Sequence, residues 1–150
     1  MKKIIILTFL ILVYSCSSVK SVNNYSPEDD PNLEFYGKYE FPVSIDNVAD
    51  FNMTLFINHK KGKLSGSMSL FWIQNQQTFN GIPVYDLKID NNVVTYKTYG
   101  PNRNNEEANF TIYFIDDYQT FQGVLHQVKH PVPEFNDRSY FIEGTKTNFQ

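Results

Sequence analysis

Alternation of apolar and polar residues with a period of two is the strongest pattern in this sequence of 150 residues. A strand places successive side chains on opposite faces, and such alternation predicts a half-buried strand. Helical periodicity is hard to find after about residue 33. The clearest segment sets Leu64, Gly66, Met68, Leu70 and Trp72 against Ser65, Ser67 and Ser69. The pattern therefore predicts an all-β domain.

Turn-forming residues divide this domain into segments about ten residues apart, and they predict eight strands. The Asn91-Asn92 pair suits a tight hairpin, because asparagine tolerates left-handed backbone conformations. A loop containing Gly81 and Pro83 is expected before the fourth strand. The strands are predicted around residues 34–43, 50–57, 64–73, 84–89, 93–99, 109–115, 120–127 and 139–147.

Two further patterns favour a closed sheet. Residues 53–68 align without a gap with residues 110–125, which repeats a strand, a turn and a strand at an offset of 57 positions. Five of the seven glycines follow a large apolar residue by two positions, on the same face of their strand. A missing side chain on the inner face lets a strand curve sharply. We therefore expect an eight-stranded antiparallel up-and-down barrel, with an open β-sandwich as the alternative.

The N-terminus has the composition of a secretory signal. Lys2 and Lys3 precede an apolar stretch of ten residues, which is shorter than the roughly 20 needed for a spanning helix. The chain has one cysteine, Cys16, directly after this stretch. Residues 17–32 are rich in Ser, Asn, Pro and acidic side chains and are typical of a flexible tether.

The segment "VYSC", which ends at Cys16, resembles the lipobox of bacterial lipoproteins. That resemblance implies that residues 1–15 are a signal peptide, that Cys16 carries acyl chains such as palmitate, and that residues 16–33 form a tether to the membrane. Residues 34–150 would then form the barrel domain. By analogy with Gram-negative lipoproteins, the absence of Asp at position 17 favours the outer membrane of the cell envelope.

The first predicted strand and the turn before the seventh resemble motifs of the lipocalin group and its calycin relatives. Gly37, Asp117 and Tyr118 match the family motifs, while Tyr39 stands where the family has Trp and Asp116 where it has Thr. This resemblance implies a lipocalin-like barrel with a site for a small ligand along its axis. The inward-facing aromatic residues predicted as candidate ligand contacts are Tyr39, Trp72, Tyr85 and Tyr96. The alternative is that these side chains simply fill a solid core.

No motif of a known catalytic or cofactor site was found, so we expect a protein that is not an enzyme and has neither cofactor nor metal. His126 and His130 have a ligand spacing only on a helix, which Pro131 and Pro133 disfavour. Glu106 and Glu107 fall in a polar loop, where solvated charge is expected.

Loss of Lys2 and Lys3 with the signal would change the net charge from −3 to about −5, which argues against nucleic-acid binding. The expected partners are the membrane, a small apolar or amphipathic ligand, and another envelope protein. The last of these would meet outward side chains, for which the candidates are Tyr36, Phe56, Phe71, Tyr113 and Ile115.

Overall fold

The chain forms a closed barrel of eight antiparallel strands in sequential order. The computed structural model describes residues 30–46, 49–60, 63–100 and 106–147. Two short 3-10 helices, η1 (Leu33–Phe35) and η2 (Pro133–Phe135), precede the first and last strands. The strands are β1 (Gly37–Ile45), β2 (Ala49–Lys60), β3 (Lys63–Trp72), β4 (Gln77–Asp90), β5 (Val93–Tyr99), β6 (Glu107–Ile115), β7 (Thr120–Lys129) and β8 (Arg138–Thr147).

Each strand pairs with its neighbours in the chain, and β8 pairs with β1. The predicted eight-stranded barrel is thus confirmed, and the open sandwich is wrong. Every strand has a neighbouring strand on both sides, so the sheet is closed. The described core residues all lie in the strands or the two 3-10 helices. The described residues therefore form one closed sheet around one core.

The seam between β1 and β8 is the shortest ladder of the barrel. It contains three register pairs, from Lys38 opposite Thr147 to Glu40 opposite Thr145. Pro42 follows on β1 and has no amide hydrogen to donate, which is a reason for the ladder to stop there. At the far end of the seam, the Arg138 guanidinium forms an ion pair with Asp46.

The two ends of the barrel differ. We call one the closed end, where η1 lies beside the turns at residues 91–92 and 116–119. We call the other the open end, which carries the connections at residues 46–48, 73–76, 100–106 and 130–137.

Aromatic rings fill the closed end. The Phe35 ring of η1 packs edge-on against Phe114, with 5.3 Å between ring centroids, and against Tyr118 at 4.7 Å. The fully buried Tyr39 packs on Phe114 at 5.1 Å, and its hydroxyl donates a hydrogen bond of 2.8 Å to the Phe35 carbonyl oxygen. Lys146 places its ammonium 5.8 Å from the centroid of the Tyr39 ring. This end therefore has a packed core capped by η1.

Two glycines mark points where backbone atoms of neighbouring strands approach closely. A Cβ on Gly144 would meet the Glu40 carbonyl oxygen and lie 2.5 Å from Cζ of Phe121. A Cβ on Gly123 would meet the Thr111 carbonyl oxygen and lie 3.1 Å from Cα of Ile112. Gly123 and Gly144 thus let neighbouring backbone and ring atoms approach closely, as the glycine spacing predicts.

The predicted loop around Gly81 and Pro83 is wrong, because both residues lie inside the long strand β4. Two bulges interrupt this strand. Asn80 and Gly81 together oppose Ser69, with Gly81 at a φ of +68°. Further along, Asp86 at a φ of 52° adds an extra residue between the pairs of Tyr85 and Lys88. The sequence of this strand resembles that of a loop, because each bulge interrupts the alternation of inward and outward side chains.

The internal repeat corresponds to two hairpins, β2–β3 and β6–β7, but their registers differ. Met53 lies opposite Leu70 in the first hairpin, whereas its counterpart Phe110 lies opposite Leu125 in the second. The gapless alignment would pair Met53 with Met68 instead. The difference arises in the turns, because two residues connect Lys60 to Lys63 and four connect Ile115 to Thr120. A slip of two residues keeps every side chain on its original face.

Candidate functional site

A cavity of about 640 Å³ lies at the open end of the barrel and is partly open to solvent. Its volume falls in the range of roughly 300–1,000 Å³ that is typical of small-molecule sites. The walls come from the ends of β1, β3, β5 and β7, the beginnings of β2, β4 and β6, and the connection that contains η2.

The cavity lining is mainly apolar and rich in aromatic rings. The aromatic side chains are Phe51, Trp72, Phe79, Tyr99, Phe110 and Phe135. The aliphatic and thioether side chains are Ile45, Ala49, Met53, Met68, Leu70, Ile82, Ala108, Leu125, Pro131 and Val132.

The cavity exists because small side chains occupy inward positions at this end. Ala49 on β2, Thr98 on β5 and Ala108 on β6 are buried and line the space. At the closed end, equivalent inward positions carry large rings such as Phe114 and Phe121. Eight strands enclose little more than their own side chains, so the size of the inward residues decides whether space remains.

Polar groups gather at one part of this lining. Gln127 is buried, and its side-chain amide donates hydrogen bonds to the carbonyl oxygens of Glu107 at 3.2 Å and Lys129 at 2.6 Å. These bonds tie the bulged end of β7 to the start of β6. Glu106 and Glu107 also line the cavity and are half-buried. Glu107 thus begins β6 and does not lie in the polar loop where it was expected.

Trp72 is the predicted ligand contact that the structure places in the cavity wall. Its ring packs 5.8 Å from that of Phe51, centroid to centroid. Its indole Nε1 is buried and has no hydrogen-bond partner in the described part of the chain. A buried donor of this kind can donate a hydrogen bond to a polar group of a ligand without losing an existing bond.

Tyr39 and Tyr96 face inward as predicted, but they do not line the cavity. Tyr39 belongs to the closed-end core, and burial raises the pKa of its hydroxyl. The Tyr96 ring stacks on that of Phe110, with 4.6 Å between centroids, and Phe110 in turn lines the cavity. Burial also raises the pKa of Tyr96, whose hydroxyl has no hydrogen-bond partner among the described residues.

The inward orientation predicted for Tyr85 is wrong. This side chain is 38% exposed and lies on the outer wall, where its ring packs edge-on against Tyr99 at 5.2 Å. The bulge at Asp86 is the reason. Val84 faces inward before it and Leu87 after it, so Tyr85 and Leu87 no longer share a face.

Two histidines of interest lie apart from any metal-binding arrangement in the described ranges. His126 is on β7, where its Nδ1 lies 3.0 Å from the Ser139 hydroxyl. His130 lies beyond the strand, and its Nδ1 accepts a hydrogen bond of 3.0 Å from the Val132 amide. No group of three or more His, Cys, Asp or Glu side chains suited to a metal ion is found there.

The outer wall exposes apolar side chains on β6, β7 and β8. Of the predicted outward candidates, Phe71, Tyr113 and Ile115 are exposed, while Tyr36 and Phe56 are half-buried. Sequence reasoning missed Phe141, which is 65% exposed, and Val124, its register partner on β7.

Cys16 and the segments assigned to the signal and most of the tether lie outside the described residues. Across the ranges that the structure covers, no helix has the length and hydropathy required to cross a bilayer. Comparison with known proteins found no matching family model, no matching curated protein and no matching solved structure.

Proposed function

We propose that this chain is a lipoprotein, anchored to the outer membrane through Cys16, whose lipocalin-like barrel binds a small apolar or amphipathic molecule. The observation that carries the binding proposal is the apolar cavity of about 640 Å³ at the open end. In a cavity of this size lined by aromatic and aliphatic side chains, replacement of water by an apolar ligand is favourable.

The single tryptophan provides the test, because Trp72 lies in the cavity wall. A soluble form comprising residues 17–150 retains the complete sheet and core. Titration with dodecanol or an apolar dye is expected to change the fluorescence of Trp72 in a saturable manner.

A variant that fills the cavity provides the matched comparison. Ala49→Phe adds a ring to a buried position in the lining, whereas Ser44→Phe adds the same ring to an exposed position near the same connection. Binding should fall sharply in Ala49→Phe and persist in Ser44→Phe. Unaltered binding in Ala49→Phe, or no response in the parent chain, would contradict the proposal.

The anchor is supported by the sequence alone, and its test is independent of the cavity. Cells that express the full chain and are supplied with labelled palmitate should incorporate the label into the protein. Cys16→Ser should abolish the label and release the protein from the membrane fraction. Label that persists in Cys16→Ser would rule out Cys16 as the attachment site.

The alternative is an interaction protein of the cell envelope with a solid barrel core. The cavity disfavours a solid core, but the apolar outer wall around Tyr113, Val124 and Phe141 supports an interaction role. Pull-down from envelope extracts with residues 17–150, compared with the Phe141→Ser variant, distinguishes the two. A partner that is lost in the variant while dodecanol still binds would favour interaction as the main role.

A further inference from the structure

We propose that the open-end cavity selects amphiphiles with a cationic head group, such as an amine or a quaternary ammonium, over those with a carboxylate. This inference rests on the proposed function, since it concerns the same cavity. The cavity is the binding site, and its charged and aromatic side chains determine which head group is preferred.

The charges in the lining are of one sign. Both acidic residues of the lining are half-buried, Glu106 through a carboxylate beside Gly100 and Glu107 through a backbone carbonyl bonded to Gln127, and the lining contains no Lys or Arg among the described residues. The Gly100 amide donates a hydrogen bond of 3.2 Å to the Glu106 carbonyl oxygen, which draws the ends of β5 and β6 together at this point. The Glu106 carboxylate lies against Gly100, where a Cβ would collide with it. Both features hold Glu106 beside the cavity.

Basic groups with described partners are engaged elsewhere. The Arg138 guanidinium pairs with Asp46, and Lys97 pairs with Asp86 on the outer wall at 3.4 Å. His130 also lines the cavity, with its Nδ1 within hydrogen-bond distance of the Val132 amide. An anionic head group would therefore meet the acidic residues of the lining without a compensating Lys or Arg from the described lining.

The aromatic rings of the lining favour the same choice. The face of an aromatic ring attracts cations, and cages of such rings bind quaternary ammonium groups. One ring of this lining already contacts a cation within the protein, since the Arg138 guanidinium carbon lies 5.5 Å from the centroid of the Phe135 ring. Trp72, which also lines the cavity, is the type of ring best suited to such a contact.

The apolar part of the cavity suits the chain of such a ligand. Met53, Met68, Leu70, Ile82 and Leu125 line it and offer only apolar side-chain contacts. An alkyl chain placed among them would leave its head group near the carboxylates of Glu106 and Glu107. Charge and apolar surface are thus arranged as a cationic amphiphile requires.

Three probes with the same alkyl chain test the inference: dodecyltrimethylammonium, dodecanol and dodecanoate. Each is titrated into residues 17–150 below its micelle-forming concentration, with Trp72 fluorescence and calorimetry as readouts. Attraction of one head group and repulsion of the other by two partly exposed carboxylates should separate their dissociation constants by about tenfold or more. Dodecanol should lie between them.

Paired variants identify the source of the selectivity. The double variant Glu106→Gln and Glu107→Gln should reduce the ratio of the dissociation constants of the two charged probes to about threefold or less. Glu134→Gln removes a charge from η2 outside the lining and should leave the ratio as it is.

The outcomes separate the two proposals. If dodecanol binds but dodecanoate binds as tightly as the ammonium, or if the double variant keeps the full ratio, the charge inference fails and the binding function stands. If none of the three probes binds, the proposed function fails and the inference falls with it.

Discussion

Tyr39 and Tyr96 allow the same chemical change to be made in two different environments of one core. Both side chains are buried, with exposed fractions of 0% and 2%. The Tyr39 hydroxyl donates a hydrogen bond of 2.8 Å to the Phe35 carbonyl oxygen. The Tyr96 hydroxyl has no partner within the described residues. Replacing each tyrosine with phenylalanine therefore removes a satisfied group in one case and an unsatisfied group in the other.

We expect the two substitutions to change the free energy of unfolding in opposite directions. Tyr39→Phe removes a hydrogen bond and leaves the Phe35 carbonyl without it, which costs about 1–2 kcal/mol. Tyr96→Phe removes a hydroxyl whose burial is uncompensated, which should stabilise the fold by about 1 kcal/mol. The two variants should thus differ by about 2–3 kcal/mol, although each loses one oxygen atom.

Urea unfolding of residues 17–150, followed by circular dichroism and Trp72 fluorescence, measures both values. Tyr113→Phe is the control, because its ring is 49% exposed on the outer wall and its hydroxyl can bond to water. That variant should stay within about 0.5 kcal/mol of the parent. If Tyr96→Phe destabilises the barrel as much as Tyr39→Phe, the assignment of hydrogen-bond satisfaction in this core is wrong.

Three further predictions concern stability. Burial raises the pKa of tyrosines such as Tyr39. The folded state therefore binds more protons than the unfolded state once the pH exceeds about 10. The free energy of unfolding should be level from neutral pH to about 9 and then fall. A pH series of urea titrations checks this, and a stability that rises above pH 10 would contradict it. Gly144→Ala should lower the free energy of unfolding by about 1–3 kcal/mol through overpacking. Gly81→Asn should be tolerated, because Gly81 has open space around it and a positive φ that asparagine can adopt. Equal shifts of the thermal unfolding midpoint in the two variants would refute the distinction. Asp46→Asn breaks the exposed pair with Arg138 and should cost less than about 1 kcal/mol, an effect that salt should diminish.

The sequence predicted the strands and their closure because both depend on local patterns. Period-two alternation places side chains on two faces wherever a strand is regular. Six of the predicted strands required only small changes at their ends, and the spacing of glycines such as Gly123 and Gly144 anticipated the tight packing of the wall. These features need no knowledge of which strand lies beside which.

The fourth strand was harder to predict because its irregularities leave little trace in the sequence. Gly81 and Pro83 are typical of a loop, yet they lie in a bulged strand. The second bulge depends on Asp86 in a left-handed conformation, which is uncommon for a residue other than glycine and has no reliable sequence signal. One extra residue was sufficient to place Tyr85 on the outer wall instead of inside.

Predicting the candidate site would have required the strand register as well as the alternation of apolar and polar residues. Alternation places Thr98 on the same face as Tyr96, but Ala49 and Ala108 lie one residue outside the predicted strands. Their small size leaves a cavity because all three lie at the same end of the barrel. The half-buried position of Glu106 also depends on the pairing between β5 and β6, since its place in a polar loop indicates only solvated charge.

The position of η1 has a consequence for how the molecule would sit on a surface. The chain enters the barrel at the closed end, where Leu33–Phe35 caps the core, and the cavity opens at the opposite pole. A chain that reaches the barrel from its N-terminal side therefore joins it at the capped pole, on the opposite side from the mouth of the cavity.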